Sequence, residues 1–244
     1  MSQTNVRLTI VYDDYNGVKP GFTKSFGFAV LIEKNNKNIL FDTGTKIYPL
    51  TANLETLGVS LRSLDAVILS HNHYDHTDGL PEILSRNPDI PVYVHQFWDK
   101  PVRSQGIYVP QKNRVTINSA REIEEITSGL YITGALISPD YGGIYEQSVY
   151  IKAPNSYILL CGCCHQGLNA CLNERLPLNI PQNSKLNIMG GLHGSKFSND
   201  EAEHINTYVE SIILCHCTKN TQLFKNQFGE KCRAGILGEI YYFE

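Results

Sequence analysis

Three imidazoles and a carboxylate fall within six residues in Ser70-His71-Asn72-His73-Tyr74-Asp75-His76, directly after the apolar run Asp65 to Leu69. Core packing does not account for such a density of donors. Histidines two apart in an extended loop project to the same side, so His71 and His73 can grip one ion. Asp75 and His76, at the start of a helix, then face a neighbouring position. Two metal ions side by side need about seven or eight donors, so the ends of distant strands must supply more. His165 follows the strand-like run Tyr157 to Cys161 across a glycine turn, and His216 follows Ile212 to Leu214. The expected sets are therefore His71, His73 and His165 on one ion, and Asp75, His76 and His216 on the other.

The remaining candidates weigh less. His95 ends a strand-like run and competes with His165 as a third ligand. His193 follows Gly190-Gly191 and reads as a substrate-facing acid or a ligand, against the plain alternative of an exposed loop histidine. His204 sits in a helical pattern beside Glu203, as solvated surface residues do. Of the seven cysteines, Cys161, Cys164, Cys171, Cys215 and Cys232 are expected to be reduced thiols packed as small apolar residues. An odd count in a chain this long argues against a disulfide framework. If extended geometry persists through Cys161 to Cys164, alternation puts Cys161 and Cys163 on one face and Cys164 on the other.

The elements that must position these residues read as alternating strands and helices. Val6 to Tyr12, Gly27 to Glu33 and Asn38 to Phe41 are β-rich and separated by polar turns. A helix over Tyr48 to Leu57 stops at Gly58. Leu80, Ile83 and Leu84 have helical spacing, and Pro91 to His95 is strand-like. Trp98 to Arg114 reads as an excursion over the active face. Strands follow at Val115 to Ile117, Tyr131 to Thr133, Ser148 to Lys152 and Tyr157 to Cys161, then a helix over Leu168 to Leu176. Leu186 to Met189, Ile212 to Leu214 and Ile236 to Phe243 are strand-like. Asp200 to Val209, capped by Ser198 or Asn199, and Thr221 to Phe228 are helical. The 244 residues, 42% hydrophobic and without a linker, read as one α/β domain over 1–244. Twenty-one basic against 24 acidic residues give −3 and no basic stripe, which disfavours nucleic acid and favours a small molecule. Met1 to Asn5 lacks the features of a signal peptide and no apolar run could cross a bilayer, so a cytoplasmic protein is expected.

His71-x-His73-x-Asp75-His76, preceded by Phe41-Asp42-Thr43-Gly44, resembles the metallo-β-lactamase superfamily. Gly162-Cys163-Cys164-His165-Gln166-Gly167, Gly190-Gly191-Leu192-His193 and His216-Cys217-Thr218 resemble its 7,8-dihydropterin-6-methyl-4-(β-D-ribofuranosyl)aminobenzene-5′-phosphate synthase-like branch. The resemblance spans Phe41 to Gly238 and implies an αββα sandwich with the metal site at one edge between two sheets. It implies that Asp42 holds the metal-binding loop, where an ordinary turn aspartate is the simpler reading. Cys163 occupies the place of a bridging carboxylate in other members, which makes it a further candidate ligand. Glu146 stands where the branch often carries an acid. Cys164 replaces a serine of the branch, Leu192 and Gly194 replace phenylalanine and leucine, and Lys219 replaces glycine.

The implied activity is hydrolysis of an ester, phosphoester or similar small, anionic molecule. Two divalent ions, zinc first with manganese or iron as alternatives, activate water. Asp75 ligates and accepts a proton, and His193 protonates the leaving group. The alternative is a transferase that joins a dihydropterin diphosphate to an aminobenzene ribosyl phosphate. A third reading, an iron–sulfur protein using Cys161, Cys163, Cys164, Cys215 and Cys217, lacks the usual spacing.

Overall fold

Short runs of β-branched and aromatic residues pair into two seven-stranded sheets in a computed structural model that describes residues 5–244. Met1 to Thr4, within the start read above as lacking a signal peptide, lie outside the described residues. The first sheet runs Ile240–Phe243, Val6–Tyr12, Ala29–Lys34, Lys37–Phe41, Ala66–Ile68, Val92–His95, Arg114–Ile117. The second runs Cys232–Ala234, Val209–Leu214, Leu186–Gly190, Tyr157–Cys161, Val149–Lys152, Leu130–Ile132, Arg121–Glu122. Each sheet joins an antiparallel part to a parallel part. In the first, pairing turns parallel from Lys37–Phe41 onward, and in the second it is parallel from Tyr157–Cys161 to Cys232–Ala234.

Strands covered on both faces are buried throughout, as Ala66–Ile68 and Leu186–Gly190 are, with Asn187 the one polar side chain in either. Ile10, Phe41, Ile68, Ile132, Leu160, Met189 and Ile213 form the core between the sheets. Outside the first sheet, Leu40, Val67 and Val92 lie under Leu50, Leu54, Leu80 and Ile83 of helices Ile47–Thr56 and Leu80–Arg86. Outside the second, Leu159, Ile188 and Ile212 lie under residues of helices Leu168–Asn173, Asn199–Asn206 and Thr221–Phe228. The layers are helix, sheet, sheet, helix, the αββα sandwich that the resemblance implied.

Boundaries shift where local chemistry overrides the pattern. Ser198 caps Asn199–Asn206 with a reciprocal Glu201 bond, and Val209, read as helical, begins a strand instead. The run Ile236 to Phe243 breaks into Ile236–Leu237 and Ile240–Phe243 at Gly238, where φ is +84° and a Cβ would strike the Phe22 ring. The excursion after Trp98 does return to the histidine loop. The Tyr74 N–H donates to the Ser104 carbonyl at 3.0 Å and the Gly106 N–H to Asn72 at 3.3 Å. Among the described residues, no helix is long and apolar enough to cross a membrane.

Candidate metal centre

The histidine loop leaves the strand Ala66–Ile68 and is held at both ends by one carboxylate. The Ser70 N–H donates to Asp42 Oδ1 at 2.7 Å, while the Ser70 hydroxyl and the His76 Nδ1–H both donate to Oδ2 at 2.7 Å. Asp42 is fully buried, and its φ of +57° turns the side chain back under the loop. The main chain adds to this hold, since the Thr43 N–H donates to the His76 carbonyl at 2.7 Å. Glycine is required at 162, because a Cβ there would lie 2.1 Å from Ser70 Oγ. That close approach lets the second sheet's loop meet the first sheet's.

Ring orientation follows from these bonds. His71 Nδ1 meets Ser70 Oγ at 2.8 Å, His76 Nδ1 meets Asp42, His216 Nδ1 meets Asp14 Oδ1 at 2.6 Å, and His165 Nδ1 lies 3.4 Å from Asp140 Oδ2. With the outer proton on Nδ1, each of the four turns Nε2 to the centre, the arrangement in which carboxylates orient ligating imidazoles, and an ion there takes the place of any proton on Nε2. His73 faces inward by Nδ1, 3.1 Å from His71 Nε2. His165 Nε2 is buried and without a hydrogen-bond partner among the described residues. The inward atoms of His71, His73 and His165 lie within 4.8 Å of one another, as do those of Asp75, His76 and His216. Both expected sets are thus assembled, side by side, and each fits a divalent ion by donor type.

The two halves differ in charge. Burial, then neighbouring imidazoles, holds His71 well below its ordinary pKa, His73 at about 4 and His165 at about 2, so all three are neutral donors. Burial opposes protonation of His216 too, but the bonds to Asp14 and Asp75 outweigh it and lift the ring to about 10. His76 is raised as well, by Asp42 and Asp75 against burial. Asp75 falls below the usual carboxylate range, since His76 and His216 overcome its burial, and its Oδ2 lies 3.1 Å from His216 Nε2. Asp14, Asp42 and Asp75 make this half the one that gathers positive charge.

Cys163 lies beside both halves, its Sγ 3.2 Å from His76 Nε2 and within 4.8 Å of the His71 and His76 donors. The Cys217 Sγ is 3.2 Å from it. Burial and this neighbour push the Cys163 thiol up. Cys217 is pulled below its ordinary value, because Cys163, His216 and His76 outweigh its burial. The alternation expected for Cys161 to Cys164 does not hold. Cys161 and Cys164 both join Cys171 and Leu168 in the outer layer, while Cys163 alone enters the centre. Extended geometry ends at Gly162, and Cys164 has φ +58°. The five cysteines of the iron–sulfur reading do not converge either, since Cys215 packs between the sheets.

Of the supporting residues, Glu146 was marked only by the resemblance, and the others had no clear signal in the sequence. Glu146 is fully buried and accepts the N–H groups of Cys163, Cys164 and His165 at 2.7, 2.8 and 2.8 Å. Burial and Cys171 raise it to about 7 against those three bonds. Asp13 and Asp14 follow Val6–Tyr12, and Asp13 Oδ1 accepts the His216 N–H at 3.0 Å. A pair of acids at the end of a buried strand was the only hint. Asp140 and Tyr141 sit in a segment without periodicity, and the Tyr141 ring lies 4.6 Å from that of His73. His193 is half-buried beside His165, their rings 4.6 Å apart, with Nδ1 3.5 Å from Asp140 and φ +36°. His95 is placed elsewhere, against Trp98 and Tyr145, and does not replace His165. His204 is exposed on its helix.

The chain has relatives among known proteins. The chain is 25% identical to 7,8-dihydropterin-6-methyl-4-(β-D-ribofuranosyl)-aminobenzene-5′-phosphate synthase of Methanocaldococcus jannaschii, over 98% of its own length and 97% of the relative's. It is 42% identical over 62 residues to hydroxyacylglutathione hydrolase of Actinobacillus pleuropneumoniae, covering 25% of each chain. The solved structure of Tm1679, a metal-dependent hydrolase of the β-lactamase superfamily, superposes with a TM-score of 0.71 over 97% of this chain and 98% of that one, at 23% identity. The sequence profile of the metallo-β-lactamase superfamily matches residues 22–143, half of the chain and all of the His71 to His76 motif, and the chain belongs to that superfamily.

Proposed function

We propose that the chain acts as one domain and as a metal-dependent hydrolase, with two divalent ions, zinc first, held by His71, His73 and His165 and by Asp75, His76 and His216. The observation that carries this reading is the convergence of two donor triads on one rim, with four Nδ1 atoms bonded outward and the Nε2 atoms left for ligation. Bound there, the ions supply Lewis acidity that lowers the pKa of water and polarises an ester or phosphoester. Asp75 offers a carboxylate oxygen for the proton given up in the attack. His193, steadied through Nδ1 by Asp140, has Nε2 free to take up the proton released in the attack and pass it to the leaving group. Lys219, whose N–H donates to the His193 carbonyl at 2.8 Å, brings a cation to this side and favours a small anionic substrate.

Seven thiols, all free, support a reducing compartment such as the cytoplasm. A second reading, transfer in place of hydrolysis, draws support from the near-full-length likeness to the archaeal synthase. Metal analysis of chelator-stripped and reloaded protein tests the proposal, with turnover of a bis(nitrophenyl) phosphate and a nitrophenyl ester. Two equivalents bound and turnover restored only on reloading are expected. Full turnover by the stripped protein overturns it. Strict dependence on a second organic acceptor would favour transfer.

A further inference from the structure

Cys217 adopts a φ of +58°, a left-handed backbone that non-glycine residues enter at a cost. Its Sγ comes within 3.2 Å of Cys163 Sγ, and the donor atoms of Cys163, His216 and Cys217 lie within 4.8 Å of one another. Room for the thiol is kept by Gly191, where a Cβ would stand 2.8 Å from Cys217 Sγ and 2.3 Å from the Gly162 carbonyl. Cys163 reaches in turn to within 3.2 Å of His76 Nε2, on a loop that Glu146 fixes by three N–H bonds. Three separated segments therefore converge to bring two sulfurs against His76 and His216. Packing alone does not ask for this. Cys215, two residues away, fills the core from an ordinary position in the chain.

We propose that the Asp75, His76 and His216 position is a sulfur-rich metal site, in which Cys163 and Cys217 both ligate as thiolates and select a thiophilic divalent ion. The inference rests on the metal-dependent reading above and adds the ligand that neither the motif nor the bridging-carboxylate analogy supplies. Soft sulfur donors favour zinc, cobalt or ferrous iron over manganese and magnesium. Each thiol releases its proton to solvent on coordination, so loading acidifies an unbuffered solution.

The test is titration of stripped, reduced protein with cobalt(II) in the absence of oxygen. Wild type is expected to bind two equivalents and develop a near-ultraviolet sulfur-to-cobalt band. That band should fall by roughly half in Cys217→Ser and in Cys163→Ser, vanish in the double variant, and persist in Cys171→Ser. An undiminished band in Cys217→Ser, or its loss in Cys171→Ser, overturns the proposal. Two bound cobalt ions without any such band would also refute it while leaving the dinuclear reading intact, whereas no binding refutes both. Should the serine variants fail to fold, X-ray absorption of zinc-loaded wild type decides. Two sulfur neighbours per protein, at about 2.3 Å from zinc, are expected, and one or none overturns the proposal.

Discussion

Asp42 Oδ2 and His76 Nδ1 are joined at 2.7 Å, with both side chains closed to solvent. The same oxygen accepts the Ser70 hydroxyl, which in turn meets His71 Nδ1. One carboxylate thus sets the proton positions of two imidazoles in different halves of the centre. Replacing Asp42 with Asn turns an N–H₂ toward the His76 Nδ1–H and removes the charge. Metal affinity at both positions is expected to fall by about 10–100-fold. Asp42→Ala, which strands buried partners, is expected to cost about 3 kcal/mol or more of stability as well. Competition with a fluorescent chelator and denaturant unfolding measure the two effects. Unchanged affinity in Asp42→Asn would show that the rings need no such orientation.

His71→Ala and His73→Ala remove inward donors of the neutral trio. Each is expected to release one ion of two and to lower hydrolysis by more than the about 100-fold that bounds the loss of an orienting residue. Elemental analysis beside single-turnover rates checks this. A double variant with wild-type turnover would remove the water-activation mechanism.

Glu146→Gln keeps the shape of the side chain but gives up one acceptor oxygen. At least one of the three N–H groups of Cys163, Cys164 and His165 then faces a donor. A stability loss of about 1–3 kcal/mol is expected, together with weaker metal binding. Denaturant unfolding of the stripped protein isolates the first effect, and titration of the folded protein gives the second. A variant matching wild type in both would reduce Glu146 to a filler of the loop.

Cys163→Ser is expected to lower metal occupancy and turnover, while Cys164→Ser leaves both nearly unchanged. Cys164 packs in the outer layer with its Sγ 3.4 Å from Cys171 Sγ, so its replacement touches stability alone, by about 1 kcal/mol. Metal content of the two variants, prepared side by side, separates them. Equal and full occupancy in both would make Cys163 a packing residue.

His95 gives a pH signature away from the centre. Burial lowers its pKa from 6.5 to about 4, so the folded chain refuses a proton that the unfolded chain accepts. The stability contributed by the neutral ring is complete above pH 6.5 and is lost as pH falls toward 4. The loss is about 1.4 kcal/mol per unit, roughly 3 kcal/mol in all. His95→Phe should therefore unfold with a shallower pH dependence than wild type between pH 6.5 and 4. Parallel slopes in chemical denaturation over that window would refute the assignment.

How far the sequence disclosed this molecule depends on whether a residue's task is set nearby or far off. The six expected donors come together because the spacing of His71, His73, Asp75 and His76 and the strand ends before His165 and His216 are local facts. The layered fold was legible for the same reason, through apolar runs of strand and helix period. Asp14 and Asp140 were not legible, since what makes them matter is a histidine 202 or 25 residues away. Alternation failed at Cys161 to Cys164 because a glycine and a left-handed residue end the strand there, and period-two reasoning has no term for that.

The donors are divided along the chain as well as between the sheets. His71 to His76 leave the ribosome before His216, which lies 141 residues beyond its partner Asp75. At 5–20 residues per second, that interval lasts on the order of ten seconds. A nascent chain would spend it with an incomplete binding site exposed and no means to close it. Ion capture is then an event of maturation that waits on the arrival of His216, and a ribosome stall before that residue would leave a fragment that competes for metal without the power to use it.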